Sequence, residues 1–170
     1  MKANNYTIRF LILMACLVII DVIIKAIVVN HFQPTQTAYV VEGHVIVGRI
    51  QNLSMAFGFR GGFTWIDVVR VIIHVLMVWL AVRIQQRPVS KGYKYGSAMI
   101  AGGIIGGYID WLLFSGGTPG YRSMDYIAIH PIEGMHSISS VLGTVGWVIL
   151  IISIIISFKD LKVIFSRTFL

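Results

Sequence analysis

A single cysteine, Cys16, stands in the 170 residues. That excludes an internal disulfide and a thiolate metal cluster. Charge is scarce too. Asp, Glu, Lys and Arg make up 12% of the chain, about half the share of an ordinary soluble domain. Acidic residues are the scarcest, seven against fourteen basic ones, and the net charge is +7. There is no internal repeat and no low-complexity tract. No His or Cys neighbours His74 at ligand spacing, so no metal site is expected.

Apolar residues fill the space: 56% of the sequence is hydrophobic and the mean hydropathy is +0.81. A helix crosses a hydrocarbon core in about 20 apolar residues. Four runs reach that length, at about 7–30, 65–86, 95–114 and 138–158. The expected fold is an all-α polytopic membrane protein, one membrane domain over 1–170 with no soluble module. The basic residues reinforce this and argue against nucleic acid as a partner. Lys2 and Arg9 sit at the start of the first run, Arg83, Arg87, Lys91 and Lys94 at the junction of the second and third, and Lys159, Lys162 and Arg167 follow the fourth. In a chain crossing four times, all of these fall on one side. The positive-inside rule puts that side, and both termini, in the cytoplasm, with a secondary attraction to anionic lipid. "LMAC" at 13–16 has the look of a lipobox, but the apolar run continues through Cys16 to Phe32. A retained helix is expected there, with Cys16 a core thiol.

Polar residues inside such runs are costly and therefore informative. In span one Asp21 and Lys25 are four apart, share a helix face and can pair. In span two Asp67, Arg70 and His74 share a face, most simply as an ion pair with a polar neighbour. In span three, "AGGIIGGYIDW" combines rows of small residues at Gly102, Gly103, Gly106 and Gly107, which permit close helix packing, with one aspartate, Asp110. Residues 33–63 alternate Tyr, Val and Ile between glycines and read as short strands at the outer surface, a small extracytoplasmic β-cradle. The outer loop 115–137 contains "RSMDYIAIHPIEGMHS".

Taken in order, Asp–x3–Lys, "NLSMAFGF", "GGIIGGYIDW", "MDYI" and a small, polar start to span four resemble the lipoprotein signal peptidases, signal peptidase II. The resemblance covers essentially the whole chain. The family's "N-x-G-x-A-F-G/S-F" motif corresponds to Asn52, Ala56, Phe57, Gly58 and Phe59, with Ser54 at its glycine. Its "G-G-x-x-G-N-x-x-D-R" motif corresponds to Gly102, Gly103, Gly106 and Asp110. Its "V-x-D-F" motif corresponds to Asp125 and Tyr126. The resemblance implies a bacterial cytoplasmic (inner) membrane protein acting without cofactor or metal on a lipid-modified signal helix. It implies Asp125 as the first catalytic aspartate, Asp110, Asp21 and Lys25 as support, and Asn52, Ala56 and Phe57 as substrate-facing. Membrane lipid and the signal-peptide or transmembrane helix of a client protein are the expected partners.

The match departs at one half of the expected centre. Such an enzyme needs two close aspartates sharing a proton, one as base on water and the other as acid toward the scissile carbonyl. The second lies in the family's "F-N-x-A-D". Here the segment is "HSISSVLGTVG". Setting Gly146 on the family's glycine places Ser137 at the asparagine and Ser140 at the aspartate, and sliding by one gives His136 and Ser139. Neither register supplies a carboxylate, and a serine hydroxyl is a poor base near neutral pH. Gly107 and Trp111 replace the family's asparagine and arginine, and "SGGTPGYR" looks inserted. Three readings stay open. One is a pseudoenzyme that binds a helix without cleaving it. Another is an active aspartic peptidase in which Asp125 pairs with Asp110, Glu133 or His136, the last sharing a face with Ser140 if the fourth helix begins early. The third is an unrelated four-helix transporter or membrane-complex subunit.

The charge distribution makes a direct prediction. A reporter fused after Leu170 reads out as cytoplasmic and a tag within 115–122 as external. An external C-terminus breaks the four-span arrangement.

Overall fold

A computed structural model describes residues 5–52, 65–115, 123–132 and 134–165. Four helices are long and apolar enough to cross a membrane: α1 (Asn5–His31), α2 (Trp65–Gln85), α3 (Lys91–Phe114) and α4 (Ile138–Ile156). Their outward faces are aliphatic. Ile12, Ile23, Val75, Leu112, Ile155 and Ile156 are all exposed. In water such surfaces would aggregate, whereas in lipid they meet a matching solvent.

The start of the third helix and one additional short helix differ from the hydropathy reading. The third helix begins at Lys91, four residues before 95, because hydropathy marks the apolar stretch while the helical backbone extends through Lys91 and Lys94. Just before it, the Ser90 N–H donates to Asp160 Oδ2 at 2.9 Å. That aspartate belongs to a short helix, α5 (Lys159–Phe165), which hydropathy could not flag because it spans only seven residues. Ile164 is buried in the core formed with Ile84, Tyr93, Ile100 and Leu150, and its carbonyl accepts from Arg83 Nε at 3.2 Å.

Helix α3 is the hub, packing against α1, α2 and α4. Its contact with α4 is the closest. A Cβ added at Gly96 would lie 2.9 Å from the Gly146 carbonyl oxygen, and one at Gly103 would lie 2.8 Å from both Gly143 N and the Ser139 oxygen. Only a missing side chain lets the two backbones approach this far. The close approach fixes the first turns of α4 against the C-terminal half of α3.

Three antiparallel strands in the order β1-β2-β3 cover this end of the bundle: β1 (Thr37–Val41), β2 (Val45–Asn52) and β3 (Ser123–Ile129). Gly43, at φ 71°, turns β1 into β2, a conformation that suits glycine. The expected cradle over 33–63 is therefore observed as two strands ending at Asn52, with 53–64 outside the described residues. The third strand comes from the segment between α3 and α4, which carried no strand expectation. Its Met124, Asp125 and Tyr126 are consecutively buried, so it lacks the alternation that marks a half-exposed strand. Ile50 pairs with Asp125 and Asn52 with Ser123.

The α3–α4 contact carries a testable consequence. Gly103→Ala forces the helices apart and lowers thermal stability in detergent by about 1–3 kcal/mol. Gly107→Ala, where an added Cβ meets nothing within 4 Å, is neutral or slightly stabilising, as helix propensity favours alanine. Equal effects of the two would mean that the close approach is not a packing constraint.

Candidate functional site

The site forms where the C-terminal halves of α1 and α3 and the N-terminus of α4 meet β3. Lys25 is its anchor. Its Nζ lies 2.8 Å from Asp21 Oδ2 and 2.7 Å from Asp110 Oδ2, and all three side chains are 0% exposed. It also donates to Ser139 Oγ at 3.2 Å. A buried ammonium is tolerable only when paired and hydrogen-bonded, and here two carboxylates and a hydroxyl surround it. Removing one partner of such a pair costs about 3–5 kcal/mol.

The two aspartates pass this order on to the backbone. Asp21 Oδ1 accepts from Tyr126 OH and from the Ile138 N–H, each at 3.0 Å, and Ser139 Oγ donates to Asp21 Oδ2 at 2.8 Å. Asp21 thus satisfies an N–H in the first turn of α4, where a negative charge is also favoured by the helix dipole. Burial and the adjacent Asp21 charge hold the Tyr126 phenol well above its usual pKa, so it remains a donor. Asp110 Oδ2 accepts from the Met124 N–H at 2.9 Å, which holds β3 against α3. The next residue along β3 is Asp125.

Asp125 differs from these carboxylates. It is 8% exposed, and its Oδ1 is buried with no hydrogen-bond partner among the described residues. Burial pushes its pKa up. A hydrogen bond with the Ser137 side chain and the charges of Lys25 and His136 oppose that shift, while Asp110 adds to it. A carboxyl in this setting takes up a proton readily and can present it to a carbonyl oxygen.

The start of α4 explains the serines. Ser137 is the N-cap: its hydroxyl accepts from the Ser140 N–H at 3.3 Å, while Ser140 Oγ accepts from the Ser137 N–H at 2.9 Å. This is a reciprocal capping box. Ser140 Oγ also donates its proton to the Ser137 carbonyl at 2.8 Å. Ser140 is therefore exposed with its hydroxyl committed to the helix cap, and it reaches Asp125 only by way of Ser137, whose Oγ lies 3.2 Å away. The cap also corrects one expectation. The helix does not begin early enough for His136 and Ser140 to share a helical face. His136 lies outside it, bridged to Ile127 through His136 N–H to Ile127 oxygen at 2.7 Å.

The structure thus gathers Asp21, Lys25, Asp110, Asp125, Ser137, Ser139, Ser140 and His136 around one end of the bundle. Asp110 Oδ2 is engaged by Lys25 and Met124, which fits support better than a surrogate acid. Asn52 has its backbone in β2, but its side chain lies outside the described residues, as do Ala56, Phe57, Glu133 and the side chain of Asp67. Sequence reasoning reached Ser139 only as an alternative register and gave Tyr126 no role. The run of hydroxyls in "SISS" was the available signal for Ser139. His74 Nδ1 lies 3.1 Å from Tyr108 OH, a pairing between residues 34 apart that no local pattern announces. Among the described residues no cluster of His, Cys, Asp and Glu has the form of a metal site.

Comparison with known proteins adds an independent line. The profile of the family described as signal peptidase (SPase) II matches residues 13–158. A lipoprotein signal peptidase of Lactiplantibacillus plantarum is 31% identical over 104 residues, covering 61% of this chain and 68% of that one. A second, from Syntrophomonas wolfei subsp. wolfei, is 29% identical over 93 residues, 55% of this chain and 61% of its own length. Two bacterial membrane enzyme structures determined by the in meso method share the fold. The one at 2.3 Å has a TM-score of 0.74 at 16% identity over 94% of this chain and 95% of its own. The one at 1.9 Å has a TM-score of 0.68 at 17% identity over 88% and 92%.

The burial of Asp125 predicts a pH-dependent trade against stability. A carboxyl whose folded pKa is raised contributes favourably below its unfolded pKa, and that contribution is lost as pH rises through the folded value. Asp125→Asn cannot titrate there. The variant is therefore more stable than wild type at neutral pH, and the gap narrows as pH falls toward the ordinary carboxylate range. Thermal unfolding in detergent across that range measures it. A pH-independent difference would mean that Asp125 is solvated in the folded state.

Proposed function

Since the chain belongs to the signal peptidase II family, we propose that it is a signal peptidase II-like membrane protein that binds a lipoprotein signal peptide or another transmembrane helix and does not cleave it through an aspartate pair. The single observation carrying this reading is the neighbourhood of Asp125. The frame of Asp21, Lys25 and Asp110 is complete, yet the side chain that meets Asp125 from α4 is the Ser137 hydroxyl, and Ser140 behind it is a hydroxyl too. The two-aspartate reaction divides its labour: an ionised carboxylate takes a proton from water while a protonated one polarises the carbonyl. Asp125, with its raised pKa, is suited to the second role. Ser140 cannot supply the first, because its hydroxyl stays protonated near neutral pH and is spent on the cap. Binding makes smaller demands. It needs apolar walls and a few placed polar groups, and the outer ends of the helices and the sheet provide both.

The setting proposed is the bacterial cytoplasmic membrane, with both termini inside and the site at the outer face. The basic residues flanking the spans support that orientation. A second reading is favoured by one observation. His136 lies near enough to Asp125 for the two to interact electrostatically, and in its neutral form an imidazole there would be a base beside the Asp125 carboxyl without a second carboxylate.

One assay separates the two. Purified protein is incubated with a diacylglyceryl-modified prolipoprotein, and both cleavage and retention of the signal helix are followed. The expected result is retention without cleavage. Cleavage that disappears in Asp125→Asn and in His136→Asn establishes the rebuilt pair. Absence of both cleavage and binding overturns the proposal.

A further inference from the structure

Two histidines stand opposite each other at one end of the sheet. Val45 of β2 pairs with Ile129 of β3, and the next position along the same ladder sets His44 against His130. The His130 N–H donates to the His44 carbonyl oxygen at 2.8 Å, which holds the two backbones side by side. Residues directly opposed in an antiparallel pair project to the same face. The rings accordingly lie 6.5 Å apart between centroids, tilted by 36°. Both side chains are exposed. Among the described residues no hydrogen bond engages either imidazole. Each neutral ring therefore keeps a nitrogen lone pair free for a ligand.

We propose that His44 and His130 chelate one divalent transition ion of the kind that favours imidazole, such as Zn2+. Coordination geometry supports the pairing. A metal held at about 2.0–2.1 Å from a ring nitrogen lies about 3.2 Å from that ring's centroid. Two rings sharing the ion are roughly 6.4 Å apart when opposed and roughly 5.2 Å apart at the tetrahedral angle. The observed 6.5 Å stands at the wide end of that range, and side-chain rotation of two exposed rings closes the remainder without moving the backbone. Two ligands fill half of a tetrahedral sphere. No further His, Cys, Asp or Glu completes a set of three among the described residues. Water therefore holds the other positions, and the site is open, unlike the closed four-ligand sites that organise small domains. The bound ion ties the β1–β2 turn to the end of the strand that carries Asp125. His130 lies five residues beyond Asp125, about 16 Å along an extended chain, so the inference does not rest on the proposed function.

The test is calorimetric titration of Zn2+ into untagged, full-length protein in detergent at about pH 7.5, where an ordinary imidazole is neutral. One ion binds per chain. His44→Gln and His130→Gln each weaken binding on the order of tenfold or more. The double variant is little weaker than either single one, because the second imidazole of a chelate adds affinity only while the first is present. His31→Gln, which removes an exposed imidazole in the last turn of α1, leaves the affinity unchanged. Thermal unfolding without zinc identifies the folded variants, and if only one of the two folds, that one decides. Absence of binding at millimolar Zn2+ overturns the proposal. So do two independent ions per chain, of which each single variant removes one. Weakening by only one of two folded variants, or equal weakening by His31→Gln, overturns it as well.

Discussion

The sheet-covered end of this protein depends on one ammonium group. Lys25 is enclosed between Asp21 and Asp110 at 2.8 and 2.7 Å, and each carboxylate then grips a different part of the backbone. Asp21 holds the first turn of α4 through the Ile138 N–H, and Asp110 holds β3 through the Met124 N–H. The two segments that carry Ser137, Ser140 and Asp125 are thereby positioned by charges on α1 and α3. A buried ionic triad contributes little net stability by comparison with apolar packing of the same volume. Its role here is geometric: it specifies where three helices and a strand meet, and it does so in directional bonds that apolar contacts lack.

That frame sets the character of Asp125. The residue is enclosed by the same packing that satisfies its neighbours, yet its own Oδ1 finds no described partner. Structures tolerate an under-satisfied buried polar atom where function uses it. Lys25 lies close enough to favour ionisation of Asp125, while burial and Asp110 oppose it more strongly. The balance produces a carboxyl that gains a proton easily. In a two-acid centre that is half of the chemistry, and the hydroxyls next to it, Ser137 and Ser140, belong to a helix cap.

Much of this was legible in the sequence, for identifiable reasons. The four spans follow from hydropathy alone, because lipid imposes a length and composition that few other constraints imitate. Asp21 and Lys25 were visible as a pair because helical spacing places them together. The partnership of Lys25 with Asp110 joins residues 85 apart, and only the packing of α1 on α3 brings it about. Strand β3 escaped notice because it is buried on both faces, and α5 because it is too short for a hydropathy window. The capping function of Ser137 and Ser140 was hidden by their alignment with functional positions of the family. That alignment directed attention to catalysis when the local backbone offered a simpler use.

The cap bears on how this sequence stands to its relatives over evolutionary time. In a capping box the third helical residue needs only an acceptor for the N-cap N–H, and acidic side chains serve there as well as hydroxyls. A negative charge in the first turn is also favoured by the helix dipole. At position 140 an acidic side chain could accept from the Ser137 N–H as serine does, but it would give up the bond that Ser140 Oγ donates to the Ser137 carbonyl. A carboxylate there exchanges one hydrogen bond of the cap for a charge beside the helix N-terminus, so a change of residue at this position is felt by the fold as well as by the chemistry.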